Sequence, residues 1–550
     1  MDLKTISNLG RFKDIVVTLM KFGFDDLVQR LDVPGAGLVK KIHKVDRELS
    51  TYQRIRYALE ELGPTFIKFG QIMSLRPDLL PQPLIQELSR LQDEVGHEDF
   101  TEIRKVIEKS LDRPLEEVFS AFDLEPLAAA SLSQVHHGVL AEGGLAVAAK
   151  VQRPGIRHKI EMDLDILAAI ADRLHERSEE LRAYDLPNLV RVTRRSLLRE
   201  LDFTREARNM RIARSYASDD SAVYIPRVYE DYCSEQLLVM EYVKGTKLKE
   251  IERDSLEEPA ALARQGLKAA IKQILEDGFF HADPRPGNML ITNEQRLCLL
   301  DWGMVGRLSE TDRYELIDLM KSVVERDTRA LLNALLRIAN GEPGIDRRAL
   351  ERELLDLLDS FYATTIGDLN LGELLMDMTA LVREHRLRLQ PDLVLMVKAL
   401  VTAEGTARLI YPELDVISEA EASVKQLAAK RFEPAAIIRH VRSSLSDLLA
   451  LYRVLPSRFS EIVDKLDRGE LSVRFEHENL GGLRNTLEGG SNRLTLGIII
   501  AALIIGSSMI ITTGVKPLLW GFPALGIIGY VISGVLGLWL IFTIIRTRRY

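Results

Sequence analysis

Cysteine is almost missing from this chain: Cys233 and Cys298 are the two it has in 550 residues. That excludes a disulfide scaffold. No Cys/His spacing of a zinc site occurs either, so both thiols are expected in the core, in apolar strand-like contexts of a reducing compartment. Basic tracts are missing as well. With a formal net charge of −8, the chain argues against a nucleic-acid partner, whose phosphates demand a cationic face. No secretory leader is seen, because Asp2 and Lys4 open the chain and the apolar run from Ile15 to Met20 is too short for one. No internal repeat recurs, which excludes a solenoid.

Long uncharged apolar runs are confined to the C-terminus. Leu494 to Val515 is one of 22 residues, and after Lys516-Pro517 a second goes from Leu518 to Ile545. Each is long enough to cross a hydrocarbon layer of roughly 30 Å at about 1.5 Å per residue. Gly529, Ser533 and Gly537 recur at intervals of four, a small-residue face suited to close helix packing, so the two spans read as a hairpin. Arg484 and Arg493 precede it and Arg546, Arg548 and Arg549 follow it, whereas Lys516 is the one cation between the spans. The excess of cations on the flanks predicts the inner (cytoplasmic) membrane, with the body of the chain and both termini in the cytoplasm.

The most informative segment is His281-Ala282-Asp283-Pro284-Arg285-Pro286-Gly287-Asn288, followed thirteen residues after its Asn by Asp301-Trp302-Gly303. In kinase chemistry an Asp sits beside the transferring phosphoryl group, an Asn five positions on holds one Mg²⁺, and an Asp after a short hairpin holds the metal bridging the phosphates. Here the hairpin is Met289 to Thr292, the turn Asn293-Glu294, and Leu297 to Leu300. Asp283 is thus the candidate for orienting or deprotonating the acceptor, and Asn288 and Asp301 are the candidate Mg²⁺ ligands. Upstream, Gln134 to Ala141, the turn Glu142-Gly143-Gly144 and Leu145 to Lys150 predict a β-hairpin delivering Lys150 to the phosphates of ATP. Leu237 to Val243, before Gly245, is a strand running into a linker where a kinase places its adenine hinge, so Glu241 and Val243 are candidate nucleotide contacts.

A lysine aimed at phosphates must itself be held, and a carboxylate on a following helix does that. Glu206 is the first choice. Asp202, four residues earlier, shares its face on a predicted helix and is the rival. A solvated helix face is the alternative for Glu200, Asp202 and Glu206 together.

In this order the motifs resemble the UbiB family of atypical kinases, also called the aarF-domain or ADCK group, over roughly residues 50 to 310. Lys68-Phe69-Gly70-Gln71, continuing through Ile72 to Pro81, is similar to the family's KxGQ element. Ala128-Ala129-Ala130-Ser131 is similar to its alanine-rich loop, which stands where most kinases have glycines to cradle phosphate, and Glu200-Leu201-Asp202 to its ExD element. Arg285 departs from the family's pattern, which has His there, but leaves the position basic. The resemblance implies Mg²⁺ and ATP as cofactors. It also implies that Lys68, Gly70 and Gln71 lie on a helix across the cleft, with Lys68 and Gln71 turned inward towards Glu200 and Asp202, which makes Lys68 a candidate catalytic residue that either restrains turnover or takes part in it. Peptide docking would then be blocked and phosphorylation of proteins in trans disfavoured. Two alternatives stay open on spacing alone: Phe66, Ile67, Phe69, Ile72, Met73 and Leu75 could form a plain packed helix, and Ala128 to Ala130 could start one. Each Cβ in the alanine loop restricts positive φ and close approach of backbone N–H groups, so nucleotide binding should differ from that of a glycine loop.

These readings assemble into an α+β, kinase-like two-lobed fold. The expected parts are a helical extension carrying the KxGQ element (1–120), an N-lobe with inserted helices (121–245), a mostly helical C-lobe (246–430), a helical linker and tether (431–493) and the transmembrane hairpin (494–545). Cap signals stand at Asp99 and at Ser110 to Pro114, breaks near Gly341 to Gly344 and at Pro456-Ser457, and Gly481-Gly482 with Gly489-Gly490 suggests a flexible tether. The amphipathic stretch Ile6 to Leu31 either lies on the membrane surface or packs on the catalytic body. The resemblance implies a membrane-anchored ATPase or small-molecule kinase supporting ubiquinone biosynthesis, with a prenylated quinone precursor and quinone-biosynthesis enzymes as partners. A nucleotide-binding scaffold without turnover and a conventional protein kinase are the alternatives.

Overall fold

The computed structural model describes residues 9–30, 49–74, 80–91, 96–178, 182, 185–217, 223–251, 255–341, 345–363, 371–431 and 480–547, in two units, Met1–Arg439 and His440–Tyr550. The first unit opens with helices α1 (Leu9–Lys21), α2 (Thr51–Leu62), α3 (Pro64–Met73) and α4 (Gln82–Leu88). Ser50 starts α2 through a reciprocal capping box with Gln53. Gly63, at φ 94°, and Pro64 at the head of α3 turn the chain between the two helices. Of the two readings of the N-terminal stretch, packing on the body is the one observed. Ile15 of α1 is buried with Leu62, Phe66 and Ile170, and Arg11 donates to both carboxylate oxygens of Asp163, at 2.7 and 3.1 Å.

Helix α5 (Phe100–Leu111), capped by Asp99 as expected, precedes the sheet of the smaller lobe. Strands β1 (Phe119–Phe122), β2 (Ala128–Ala129), β3 (Ser133–Leu140) and β4 (Ala146–Gln152) come first. Helices α6 (Ile156–Arg177), α7 (Leu186–Glu200) and α8 (Phe203–Tyr216) and the short strand β5 (Val223–Tyr224) intervene before β6 (Leu237–Glu241). The order is β1-β3-β4-β6, antiparallel throughout, with β2 on β3. Alternation along a strand fixes which side chain meets which lobe. Val147, Ala149 and Val151 pack with Leu237 and Val239 on Ile103 and Ile107 of α5, whereas Ala148, Leu238 and Met240 join the larger core on the other side. Lys150, opposite Leu238, emerges on that inner side.

The larger lobe carries β7 (Gly245–Lys247), α9 (Pro259–Lys272), β8 (Phe279–His281), β9 (Met289–Thr292), β10 (Leu297–Leu299) and β11 (Val305–Arg307). Its small sheets run β5-β10-β9-β7 and β11-β8. Helix α9 continues through a π turn, Gln273–Asp277, and stops at Gly278, φ 65°. A Cβ there would stand 2.8 Å from the Leu308 carbonyl oxygen, so glycine alone lets β8 begin where it does. Helices α10 (Glu310–Val324), α11 (Thr328–Ile338), α12 (Arg347–Ala363), α13 (Leu371–Glu384), α14 (Pro391–Ile410) and α15 (Val416–Arg431) complete the lobe. Leu393, Met396, Leu400 and Ala407 bury α14 in the common core. The break at Gly341 is a two-residue strand, Asn340–Gly341, pairing with Leu387–Arg388. Pro456-Ser457 lies outside the described residues.

The second unit contains α16 (Leu480–Thr513) and α17 (Ala524–Thr547), packed against each other. Leu494–Thr513 and Ala524–Phe542 are long and apolar enough to cross a membrane. Two sequence expectations are corrected here. Gly481, Gly482, Gly489 and Gly490 lie inside continuous helix α16 rather than a flexible tether, since extending an existing helix is far easier than nucleating one. Of the expected small-residue face, Gly529 is at the close helix contact and Ser533 is buried, but Gly537 is not in it, and Gly526 takes part instead. A Cβ on Gly526 would meet Ile511 at 2.5 Å and one on Gly529 would meet Ser507 at 2.0 Å, while Gly537 has open space.

Candidate active site

The strand alternation that turns Lys150 inward meets a helix built to receive it. Along α8, Phe203, Glu206, Ala207, Met210 and Ala213 are buried, so Glu206 sits within the apolar stripe. Both of its carboxylate oxygens accept from Lys150 Nζ at 2.8 Å. Asp202 is not the partner: it is the N-cap of α8, its side chain accepting from Thr204 N–H at 3.1 Å. The spacing of four misled because the helix starts at Phe203, leaving Asp202 outside the repeat. One turn beyond Glu206, Asn209 donates to the Trp302 carbonyl at 3.0 Å, which ties the same helix to the segment carrying Asp301. Asp301 Oδ1 lies 3.7 Å from Lys150 Nζ and accepts the Gly303 N–H at 2.9 Å.

The charges of this group are set by one another. Burial pulls the Lys150 ammonium down, but the Asp301 and Glu206 carboxylates outweigh it and hold Lys150 above its ordinary value. Burial pushes Glu206 up to about 7 against the pull of Lys150. Asp301 also resists burial, but the Lys150 ammonium and the Gly303 N–H hold it well below the usual carboxylate range. A lysine set between two carboxylates is thereby kept in its charged form despite its burial.

Loop 282–288 is clamped at both ends. Ala282 N–H donates to Met304 O at 3.1 Å and Leu300 N–H to Asn288 O at 3.0 Å. His281 is buried, and its Nδ1 accepts the Asp283 N–H at 3.0 Å. The Asp283 carboxylate lies 3.1 Å from Lys398 through Oδ1 and 3.2 Å from Arg285 through Oδ2. Asn288 Nδ2 donates to the Asp283 carbonyl at 3.3 Å, which fixes the amide and leaves its oxygen as the remaining acceptor. With one oxygen of Asp301 also remaining, Asn288 and Asp301 offer hard oxygen ligands of the kind Mg²⁺ takes alongside phosphate and water. Asn288, Asp301 and Asp283 line one chamber.

The KxGQ element crosses that chamber on α3. Lys68 Nζ is 2.6 Å from Glu200 at the end of α7, and Gln71 donates to the Leu91 carbonyl at 3.1 Å. At Gly70 a Cβ would crowd the side-chain ends of Leu91, Leu59 and Leu88, which would have to shift to admit it. The helix is thus both packed and functional-facing, since Lys68 and Gln71 line the chamber while Phe66, Ile67 and Met73 are buried.

The alanine loop starts no helix. Ala128 and Ala129 pair with Val135 and Gln134, Ala130 N–H donates to Ser133 O at 2.8 Å, and Ser131 is buried. Arg153 pins this hairpin, donating to the Ala130 carbonyl at 2.8 Å and to the Gly96 carbonyl at 2.6 Å while pairing with Glu98 at 2.7 Å. At the hinge, the Glu241 carboxylate is engaged by the Tyr224 hydroxyl at 2.7 Å and the Arg227 N–H at 3.1 Å. Its side chain is therefore held by the protein itself, and the Glu241 N–H donates to the Arg227 carbonyl at 2.8 Å. None of Ala128, Ala129, Ala130, Ser131, Lys150, Asp202, Glu206, Glu241 or Val243 is among the described residues lining the chamber. Burial holds the Cys233 and Cys298 thiols up, at about 11 and about 12, which makes them inert core groups. Sequence reading missed Asn209 and Lys398; the signal for Lys398 was a single charge within the apolar stretch Leu393 to Val401.

Comparison with known proteins gives three family matches: an ABC1 atypical kinase-like domain over residues 90–335, a UbiB helical domain over 354–415 and an ABC1/UbiB kinase-like C-terminal domain over 478–546. The chain is 30% identical to "Probable protein kinase UbiB" of Vibrio cholerae, covering 96% of this chain and 98% of the relative. It is also 30% identical to an uncharacterized protein of the hydrogenase 1 5' region of Clostridium pasteurianum, over 98% and 99%. Among solved structures it is similar to the erythromycin complex of a Mycobacterium tuberculosis protein, at TM-score 0.46 and 20% identity over 64% of this chain and 90% of that one.

Proposed function

This chain belongs to the UbiB family of atypical kinase-like proteins, and from that membership we propose a membrane-tethered, Mg²⁺-dependent ATPase or small-molecule kinase that serves ubiquinone biosynthesis. The observation that carries the chemistry is the convergence of Lys150, held by Glu206 at 2.8 Å, on Asp301 at 3.7 Å. A scaffold without turnover has no chemical need for that arrangement beside Asp283 and Asn288. Lys150 binds and neutralises phosphate oxygens, and Asn288 and Asp301 hold the metal, which when bound supplies further positive charge to the phosphates. Asp283 orients the acceptor and takes its proton as the acceptor oxygen bonds to the γ-phosphorus of ATP. The bond from that phosphorus to the bridging oxygen breaks, ADP leaves, and the product is inorganic phosphate when the acceptor is water or a phosphate ester when it is an alcohol or phenol.

The two C-terminal spans anchor the enzyme, and the flanking cations put its body at the cytoplasmic face of the inner membrane. A tether suits a substrate whose prenyl tail does not leave the bilayer unaided. The chamber being walled by α3 disfavours a polypeptide acceptor. The test is steady-state phosphate release by the full-length protein with Mg²⁺-ATP, with and without liposomes containing a prenylated phenol. Lipid-stimulated release that falls about 10²–10⁴-fold in Asp283→Asn is expected for loss of a positioned acid–base group. No release under any condition, with nucleotide still bound, would favour the scaffold.

A further inference from the structure

Asp283 and Asp301 both line a chamber of about 350 Å³ that Lys150 and Glu206 do not line, within the roughly 300–1,000 Å³ common for small-molecule sites. One wall is α3 and α4, with Ile72 and Ile85; the opposite wall is α13 and α14, with Met376, Val394 and Val401. The walls are tied together across the sequence, Arg383 of α13 donating to the Leu80 carbonyl at 2.9 Å. Polar groups gather at the catalytic end, and the body of the chamber is apolar.

On α14, Val394, Val397, Lys398 and Val401 recur at spacings of three and four and share the chamber face. Lys398 is the charged member of that apolar face. An ammonium has three donors, and among the described residues its ion pair is the one with Asp283 Oδ1 at 3.1 Å. Its side chain is 32% exposed, so donors remain for an incoming group. Arg285 stands on the other oxygen of the same carboxylate. The polar end of the chamber thus carries three cations, Lys68, Arg285 and Lys398, beside three carboxylates, Glu200, Asp283 and Asp301, and of the cations Lys398 is the one set on an apolar helix face.

We propose that this chamber binds an amphiphile with an apolar body and an anionic head, and that Lys398 is the residue that recognises the head. Calling the bound molecule an acceptor rests on the phosphotransfer reading above; its chemical class does not. Val394, Val397 and Val401 receive the apolar body, and Lys398 pairs with the head beside Asp283, which places the molecule at the end of the chamber where Asn288 and Asp301 stand.

The test uses the full-length protein in zwitterionic nanodiscs, with binding of octanoate, octanol and inorganic phosphate measured by calorimetry against empty discs. The Mg²⁺ complex of a non-hydrolysable ATP analogue is the control in every variant. Octanoate should bind about ten-fold more tightly than octanol, the size of one charge-assisted hydrogen bond. Lys398→Met should erase that preference and Lys398→Arg should restore it. Val397→Trp, which fills the chamber, should abolish binding of both alkyl probes while retained nucleotide binding reports a folded protein. Equal affinities for octanoate and octanol would overturn the proposal, as would inorganic phosphate displacing octanoate in a manner indifferent to Val397→Trp. Loss of nucleotide affinity in Lys398→Met with octanoate binding intact would assign the lysine to the nucleotide and also overturn it. Phosphate release is scored separately. Octanoate binding without any ATP turnover would sink the phosphotransfer reading and leave the ligand site standing; turnover without octanoate binding would do the reverse.

Discussion

Two lysine–glutamate pairs flank the same aspartate, and they are built in opposite ways. Lys150 leaves the inner face of a strand and meets Glu206 at 2.8 Å inside the apolar stripe of a helix, the glutamate 4% exposed. Lys68 leaves a helix and meets Glu200 at 2.6 Å at the last residue of another helix, that glutamate 22% exposed and at the edge of a chamber. In the first pair the glutamate is enclosed among the buried side chains of its helix. The second is a contact between two helices that a ligand in the chamber could reach. Similar distances therefore carry different energetics, because the cost of an unpaired charge depends on how little water can replace the partner.

Breaking each pair measures that difference. Glu206→Ala should have the largest effect, about 3–5 kcal/mol of unfolding free energy for a buried pair deprived of one member, towards the lower end because Asp301 still faces Lys150 at 3.7 Å. Urea unfolding of the full chain reads it, and a loss no greater than that of the second pair would erase the contrast. Glu200→Ala should cost about 1 kcal/mol, the scale of a pair that water can reach. Lys68 keeps the electrostatic company of Asp301, so the variant should fold and still bind nucleotide.

A third experiment sharpens the contrast through pH. Glu206 moves from 4.5 to about 7 on folding, so the folded protein holds a proton there that the unfolded chain releases. Its contribution to stability is complete below about pH 4.5 and is lost as pH rises through about 7. Asp301 has the opposite sign: its lowered value adds stability above the ordinary carboxylate range, lost only at lower pH. Unfolding free energy measured between pH 4.5 and 7 should therefore decline less steeply in Glu206→Gln than in the natural protein. An identical slope would mean that Glu206 does not titrate in that window. The smallest effect is expected from Ala129→Gly. Ala129 is paired in a strand and its hairpin is pinned by Arg153, so the loss should be about 0.5–1 kcal/mol of stability, with a two- to three-fold change in nucleotide affinity, on the order of half a kcal/mol. An unchanged binding isotherm would place the loop away from the phosphates.

The Lys150–Glu206 pair was legible in the sequence because both halves are local: a strand ending in lysine, and a helix whose apolar stripe contains one acid. The catalytic loop was legible because its groups lie within twenty-one residues, from His281 to Asp301, and chain geometry alone keeps them close. Asp202 misled because a spacing of four implies a shared face only once the first residue of the helix is known. The glycines before the first apolar span misled for a related reason, since the helix following them extends back through residues that do not start one.

Strand alternation, helix periodicity and run length, all properties of neighbouring residues, made the kinase-like order of motifs, the candidate phosphate-facing groups and two segments able to cross a membrane legible in the chain itself. The folded structure was needed to show that α1 packs on the body through Arg11 and Asp163, 152 positions apart, and that Arg383 closes on Leu80 across 303. It alone placed Lys398 on Asp283. No short-range pattern encodes such pairings, because they follow from which buried faces meet when the whole core closes, and the chamber beneath Asp283 is the space those meetings leave.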